Sequence, residues 1–162
     1  MYHFNQYAKL FWQNEKIESF TAPFELNQRE LKEVGLSNGE LVIYGHQPMM
    51  ISAQCIMKTT KGCQKEKGRL IFKDRYQKEF TVKNHCDYCY NVIYNTAPIM
   101  LLDQKSEIQE LETKALRLHF TIENRKKVKE ILCLYENVFL KEKIVCEPDM
   151  EFTRGHFKRG IK

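Results

Sequence analysis

Apolar and polar residues over positions 1–45 are spaced in a way that predicts helices and strands in alternation. Residues 2–13 carry apolar side chains at helical spacing, and residues 17–22 are rich in strand-forming residues. Asn27, with Glu30 three residues later, is typical of a capping box and predicts a short helix that Gly35 ends. The chain is therefore expected to begin with a helix, a strand and a second helix.

A second strand is predicted at residues 41–44, where Leu-Val-Ile-Tyr is apolar without interruption and is followed by Gly45. A continuous apolar run is typical of a strand that is buried on both faces of a parallel sheet. The order helix, strand, helix, strand with short loops is typical of an α/β barrel or a doubly wound sheet. A complete eightfold barrel takes about 250 residues, whereas this sequence has 162.

We therefore expect an α/β fold in which the C-terminal portion of a TIM-like barrel is followed by a small α+β segment with a cysteine-bearing hairpin region. The expected divisions are residues 1–50 as the end of the barrel-like domain, residues 51–100 as a cysteine-rich loop and hairpin region, and residues 101–162 as the C-terminal α+β segment. On this interpretation the chain belongs to a longer protein, whose N-terminal barrel half is its partner.

The later part of the chain is predicted to contain both strands and helices. After a loop that follows Gly45, the expected elements are a hairpin at 69–83 with its turn at 74–77, a strand that starts at 90, a polar helix at 104–112, a strand at 115–120, and a helix at 122–138 that Thr121 caps.

Composition and charge change this picture little. A hydrophobic content of 43% with 12% aromatic residues is enough for a packed core. The 26 Lys and Arg against 21 Asp and Glu leave a net charge of +5, which permits an acidic partner such as RNA without requiring one. The sequence shows neither a secretory signal pattern nor a run of about eighteen apolar residues, so we expect a cytoplasmic protein without a membrane span.

Four of the six cysteines, Cys55, Cys63, Cys86 and Cys89, are close in sequence and are expected in loops or turns. In a reducing compartment such cysteines bind metal more often than they form disulfides. Their spacing matches neither the usual zinc ribbon nor the common ferredoxin patterns, so zinc and a cubane iron–sulfur cluster are both possible. The alternative is that they are small buried side chains.

The other two cysteines are weaker candidates for a metal site, and the Cys86–Cys89 pair is a weaker candidate for redox chemistry. Cys133 is expected to pack on the apolar side of the last helix, and Cys146 is not expected to be a ligand. A thioredoxin-type redox pair at Cys86 and Cys89 is disfavoured, because the intervening Asp87 would not stabilise a thiolate.

Glu25, His46 and Arg117 are the candidate catalytic residues. Glu25 and His46 follow the first two predicted strands, and barrel enzymes gather their chemistry at such strand ends, so either is a possible general acid or base. For His46 the alternative is a loop histidine that bonds to the backbone. Arg117 lies between two leucines of a predicted strand, where a cation needs a partner or an anionic ligand. Motifs of serine hydrolases, zincins and phosphate-binding loops are absent from the sequence.

Several short motifs also occur in an order that resembles the C-terminal part of peptidase family U32, the collagenase-like proteases. They are Pro23-Phe-Glu-Leu-Asn27, Tyr44-Gly-His-Gln-Pro-Met49, Cys55, Asp74-Arg75, Cys86, Tyr94-Asn95, Leu116-Arg-Leu118 and Thr153-Arg-Gly-His-Phe157. The resemblance covers nearly the whole chain. It implies a barrel-like N-terminal domain that ends near residue 50 and a peptidase label without agreed catalytic residues.

The same resemblance implies a second kind of chemistry. Other members of the family are implicated in hydroxylating tRNA, ribosomal RNA or quinone precursors, and they hold a [4Fe–4S] cluster on four cysteines. Cys55, Cys63 and Cys86 match such ligands by position, and Cys89 is the fourth candidate.

Three functional hypotheses follow. The first is a U32-type peptidase-like protein with a four-cysteine metal or [4Fe–4S] site, which acts on a protein or peptide. The second is iron–sulfur-dependent hydroxylation of tRNA, ribosomal RNA or another substrate. The third is a non-catalytic module that zinc stabilises and that binds RNA or protein.

Overall fold

The computed structural model describes residues 3–60, 62–63, 65, 68–143 and 149–159. In chain order its elements are α1 (Gln6–Asn14), β1 (Phe20–Thr21), α2 (Gln28–Val34), β2 (Gly39–Gly45), β3 (Pro48–Ser52), α3 (Ile56–Thr60), β4 (Arg69–Lys73), β5 (Glu79–His85), β6 (Tyr90–Tyr94), β7 (Ile99–Met100), a 3-10 helix (Leu102–Gln104), α4 (Lys105–Gln109), β8 (Ala115–His119), α5 (Arg125–Tyr135) and a π-helical turn (Glu136–Leu140).

These elements form two compact units. Met1–Gly45 and Ile99–Lys162 together make one, the flanking unit, and His46–Pro98 make the other, the inserted unit. The structure thus divides the chain differently from the three expected segments, 1–50, 51–100 and 101–162. The first and third segments join in one unit because β2 pairs with strands from both sides of the insertion.

The flanking unit is built on an open four-stranded sheet with β2 at its centre. β1 and β8 each pair with β2 in parallel, and β7 pairs with it in antiparallel orientation. Leu41 lies opposite Leu116 and Tyr44 opposite Met100. Nearly all of β2 is buried, which confirms the strand predicted from its apolar run. The fold is mixed α/β, and the described strands of this sheet do not close into a barrel.

The helix that leads into β2 is set by local signals, as predicted. Asn27 accepts a hydrogen bond from the Glu30 backbone N–H at 3.0 Å, and the Glu30 carboxylate accepts from the Asn27 N–H at 2.8 Å. Gly35 ends the helix with a φ of +72°, a conformation that side chains with a Cβ rarely adopt. The predicted capping box and stop are therefore both confirmed.

The start of α5 differs from the prediction. Asn124, rather than Thr121, caps the helix, since its side chain accepts a hydrogen bond from the Lys127 N–H at 2.9 Å. The N–H groups of Thr121 and Ile122 instead donate to the carboxylate of Glu123, at 2.7 and 3.0 Å. This local carboxylate holds residues 121–123 outside the helix.

The hydrophobic core lies in the flanking unit. It is made by the buried side chains of Phe20, Ala22, Leu31, Val34, Leu36, Leu41, Ile43, Tyr44, Ile99, Met100, Leu101, Ile108, Leu111, Ile131, Tyr135 and Phe157. The Tyr135 hydroxyl joins α5 to the sheet, because it donates to the Ile43 carbonyl at 2.6 Å and accepts from the Leu101 N–H at 3.3 Å.

The inserted unit is a four-stranded antiparallel sheet in the order β3-β6-β5-β4. The β4–β5 hairpin turns where predicted, and the Asp74 carboxylate accepts hydrogen bonds from the N–H groups of Tyr76 and Lys78 in that turn. β3 was predicted as a loop, but it pairs with β6 and occupies a sheet edge. Three of its side chains, Met49, Met50 and Ile51, are exposed in succession, so the strand lacks the alternation that would predict it.

In the part of the chain that the structure describes, every helix is too short or too polar to cross a membrane.

Candidate metal centre

The four predicted thiols line one pocket of the inserted unit. This pocket has a volume of about 280 Å³, and it is lined by Cys55, Cys63, Lys65, Asn84, His85, Cys86, Asp87, Cys89 and Tyr90. Cys55 immediately precedes α3, Cys63 lies in the loop that follows it, and Cys86 and Cys89 are the first and last residues of the β5–β6 turn. Residues that are distant in sequence are therefore brought together by the sheet.

The β5–β6 turn fixes two of the thiols. His85 and Tyr90 are the last paired residues of the hairpin, and their rings stack at 4.5 Å with an interplanar angle of 7°. The Tyr88 N–H donates to the His85 carbonyl at 3.1 Å. Cys89 has a positive φ of 53°, an uncommon conformation for a residue other than glycine, asparagine or aspartate. The turn therefore holds Cys86 and Cys89 in one tight loop.

A buried asparagine fixes the segment that carries Cys55. Asn91 on β6 is fully buried, and its amide donates to the Gln54 carbonyl at 2.8 Å. The Cys55 carbonyl in turn accepts from the Thr59 N–H at 3.1 Å, in the first turn of α3. Sequence reasoning did not single out Asn91. The available signal was an amide in a strand otherwise made of Tyr, Val and Ile.

A second buried asparagine bears on what the pocket can hold. Asn84 lies directly opposite Asn91 on the neighbouring strand, lines the pocket and is 4% exposed. Neither its amide nitrogen nor its amide oxygen has a hydrogen-bond partner among the described residues. A buried amide without a partner is costly, and metal-bound thiolates accept hydrogen bonds from such groups in an outer shell. Asn84 and four soft sulfur donors therefore fit zinc or an iron–sulfur cluster.

The electrostatics of the pocket oppose ionisation of the Cys86 thiol. Burial raises the pKa of the Cys86 thiol, and negative charge on Cys55, Cys63, Cys89 and Asp87 raises it further. A bound cation reverses this effect, since it stabilises the thiolates that coordinate it. As the side chains stand, no three His, Cys, Asp or Glu residues within the described ranges are arranged to hold a metal ion.

The described cysteines are thiols rather than disulfides; they are Cys55, Cys63, Cys86, Cys89 and Cys133. Cys133 is exposed on α5 and accepts a hydrogen bond from the Asn137 amide at 3.5 Å, so the prediction that it packs in the apolar side of the helix was wrong. Cys146 lies outside the described residues.

The three catalytic candidates lie in separate environments. Glu25 is exposed in the turn after β1, and its side chain has no hydrogen bond or ion pair with any other described residue. His46, in the inserted unit, has its Nδ1 2.9 Å from the Asn95 carbonyl oxygen, which is the backbone-bonded alternative considered for it. Nδ1 therefore carries the proton in this contact.

Arg117 has the partner that its place in a strand required. Its guanidinium pairs with the carboxylate of Glu40 on β2, which also accepts a hydrogen bond from the Thr21 hydroxyl at 2.6 Å. Glu40 is the second residue of β2, near the amino-terminal edge of the parallel strands, and Arg117 is the middle residue of β8. The opposite, carboxyl-terminal edge is the usual place for catalysis in parallel sheets.

Comparison of the chain with protein-family models, with curated proteins and with solved structures found no match.

Proposed function

We propose that the inserted unit holds a four-thiolate centre made by Cys55, Cys63, Cys86 and Cys89, in a U32-type peptidase-like protein. The observation that carries the proposal is the convergence of these four thiols on one pocket. The buried Asn84 amide supports it, because it lines the same pocket and has no hydrogen-bond partner among the described residues.

The small core of the inserted unit supports a role for the metal in folding. The unit spans His46–Pro98, and the large hydrophobic core belongs to the flanking unit. Among the described residues of the inserted unit, the buried hydrophobic side chains are Val82, Val92 and Tyr94. Domains of this size commonly need a metal or disulfides, and structural zinc contributes about 10–16 kcal/mol in small zinc peptides.

We propose a [4Fe–4S] cluster as the first candidate for the centre, with zinc as the alternative. Four thiolates suit either group, and the family resemblance is what favours the cluster. A cluster in this position would supply electron transfer beside a substrate. The residues of the chain would hold it, exclude part of the solvent through Tyr90 and orient the sulfur atoms through Asn84.

For the whole protein we propose the activity that the family resemblance implies, which is hydrolysis of the peptidase type. The α/β order of β1, α2 and β2 supports a C-terminal portion of a TIM-like barrel, whose first half lies elsewhere in a longer chain. Iron–sulfur-dependent hydroxylation of tRNA or ribosomal RNA is the alternative, which the basic character of the inserted unit favours. A zinc-stabilised binding module in the cytoplasm is the second alternative.

The test is metal and sulfide content after anaerobic purification, together with a visible spectrum, for the wild-type chain and for Cys55→Ala. Cys133→Ala is the matched control, because it removes an exposed thiol outside the pocket. Iron and sulfide that are lost in Cys55→Ala and kept in Cys133→Ala would support the cluster. Stoichiometric zinc with the same dependence would favour the structural alternative. Absence of metal from both the wild-type chain and Cys133→Ala would refute the four-thiolate centre.

A further inference from the structure

Two buried asparagines form a cross-strand pair in the inserted unit. Asn84 on β5 is directly opposite Asn91 on β6, so both side chains lie on the same face of the sheet. Their exposed fractions are 4% and 0%. A side-chain amide has two N–H donors and an acceptor oxygen, and a buried group of this kind is costly when it has no partner. Each asparagine is therefore an expensive side chain for the fold to bury.

The two amides differ in what they contact. The Asn91 amide donates to the Gln54 carbonyl at 2.8 Å and thereby holds the segment that precedes Cys55. The backbone N–H of Asn84 donates to the Gly68 carbonyl at 3.1 Å, but its side-chain nitrogen and oxygen have no hydrogen-bond partner among the described residues. The described contacts therefore give the Asn91 side chain a structural role and the Asn84 side chain none.

The thiol pocket offers the Asn84 amide a partner when it is filled. Asn84 lines this pocket together with Cys55, Cys63, Cys86 and Cys89. A neutral thiol is a weak hydrogen-bond acceptor, whereas a hydrogen bond to an ionised acceptor is about twice as strong as one between neutral groups. A bound metal ion converts its thiol ligands to thiolates. The buried amide therefore gains a strong acceptor only in the metal-bound protein.

We propose that Asn84 is a positioning residue of the four-thiolate centre. Its amide donates a hydrogen bond to a metal-bound thiolate, and the metal-free fold buries the same amide at a cost in stability. This inference rests on the proposed function, because it requires the centre. It adds that Asn84 serves the metal-bound state alone, whereas Asn91 serves the fold.

The experiment measures the Zn²⁺ affinity of the full chain by competition with a chromophoric chelator, for the wild type, Asn84→Val and Asn84→Thr. Zn²⁺ is a suitable probe because four thiolates bind it whether or not the natural group is a cluster. Asn84→Val should weaken Zn²⁺ binding about 10–100-fold, the usual effect of losing an outer-shell partner. Threonine has nearly the shape of valine and keeps an O–H donor, so Asn84→Thr should bind Zn²⁺ more tightly than Asn84→Val.

Amide hydrogen exchange of β5 and β6 in the metal-free chain separates a role in the centre from a role in the fold. Asn84→Val removes an unpaired buried amide and introduces a residue that suits a strand, so exchange should be no faster than in the wild type. Metal binding is coupled to folding, and a substitution that only damaged the fold would therefore speed exchange and weaken Zn²⁺ binding together. Asn91→Val is the matched control and should do both, because it removes the hydrogen bond to Gln54.

The outcomes separate this inference from the thiol centre itself. Wild-type Zn²⁺ affinity in Asn84→Val would overturn the role of Asn84 and leave the centre in place. Faster exchange in metal-free Asn84→Val would also overturn it, since Asn84 would then act in the fold as Asn91 does. Equal Zn²⁺ affinities of Asn84→Val and Asn84→Thr would contradict hydrogen-bond donation. A wild-type chain that does not bind Zn²⁺ would remove the centre, and the role of Asn84 with it.

Discussion

The Tyr135 hydroxyl offers a sharp test of how the flanking unit is held together. It donates to the Ile43 carbonyl and accepts from the Leu101 N–H, on a side chain that is 4% exposed. In Tyr135→Phe neither backbone group loses its last partner, because the Leu101 N–H also donates to the Ile43 carbonyl at 3.0 Å. The expected loss of unfolding free energy is therefore that of a net hydrogen bond, about 1 kcal/mol. Tyr135→Ala should cost about 3–5 kcal/mol, since it also leaves a cavity.

Urea unfolding of the full chain measures these differences, with the m-value as a check that the unfolded state is unchanged. Tyr7→Phe is the control, because Tyr7 is 84% exposed and its hydroxyl change should stay within about 0.5 kcal/mol. A loss above about 3 kcal/mol in Tyr135→Phe would mean that the hydroxyl satisfies groups that have no second partner. No loss would mean that the two contacts are not formed in solution.

Three further predictions concern the helix cap, the buried tyrosines and the proposed metal centre. Asn27→Ala should lower the unfolding free energy by about 1 kcal/mol in the same urea assay, because the capping box is lost; unchanged stability would contradict the cap. Burial raises the pKa values of Tyr44 and Tyr135 above their usual range, so the unfolded chain releases these phenolic protons first and stability should fall as pH rises above about 10. The fall should be shallower in Tyr135→Phe, and an identical pH profile would contradict this. Removal of metal by a chelator should speed hydrogen exchange in the inserted unit and leave the amides of β2 protected. Cys86→Ser should reproduce this effect. Equal loss of protection in both units would contradict a local role of the metal.

Elements with local signals were predictable from the sequence. The apolar run before Gly45 predicted β2, the Asn27 and Glu30 pair predicted the start of α2, and Asp74 marked the β4–β5 turn. In each case the determining residues are neighbours in the chain, so their backbone preferences act whatever the tertiary structure.

Elements that depend on distant partners were not predictable in the same way. β3 forms through its pairing with β6, although its own side chains are exposed and do not alternate. The segment 121–123 is a different case, because its contact is local. The Glu123 carboxylate binds the N–H groups of Thr121 and Ile122, and the sequence alone does not decide between this contact and a cap by Thr121.

In the candidate site, too, some features were predictable from the sequence and others depend on the tertiary structure. The sequence determined that four cysteines lie in loops and turns of a chain rich in lysine, and it marked Arg117 as a cation that needs a partner. Only the tertiary structure decided that Glu40 is this partner, and that the thiols share one pocket backed by Asn84. The physical reason is that these contacts join residues far apart in the chain, whose distances are set by strand pairing and register rather than by any neighbouring residue.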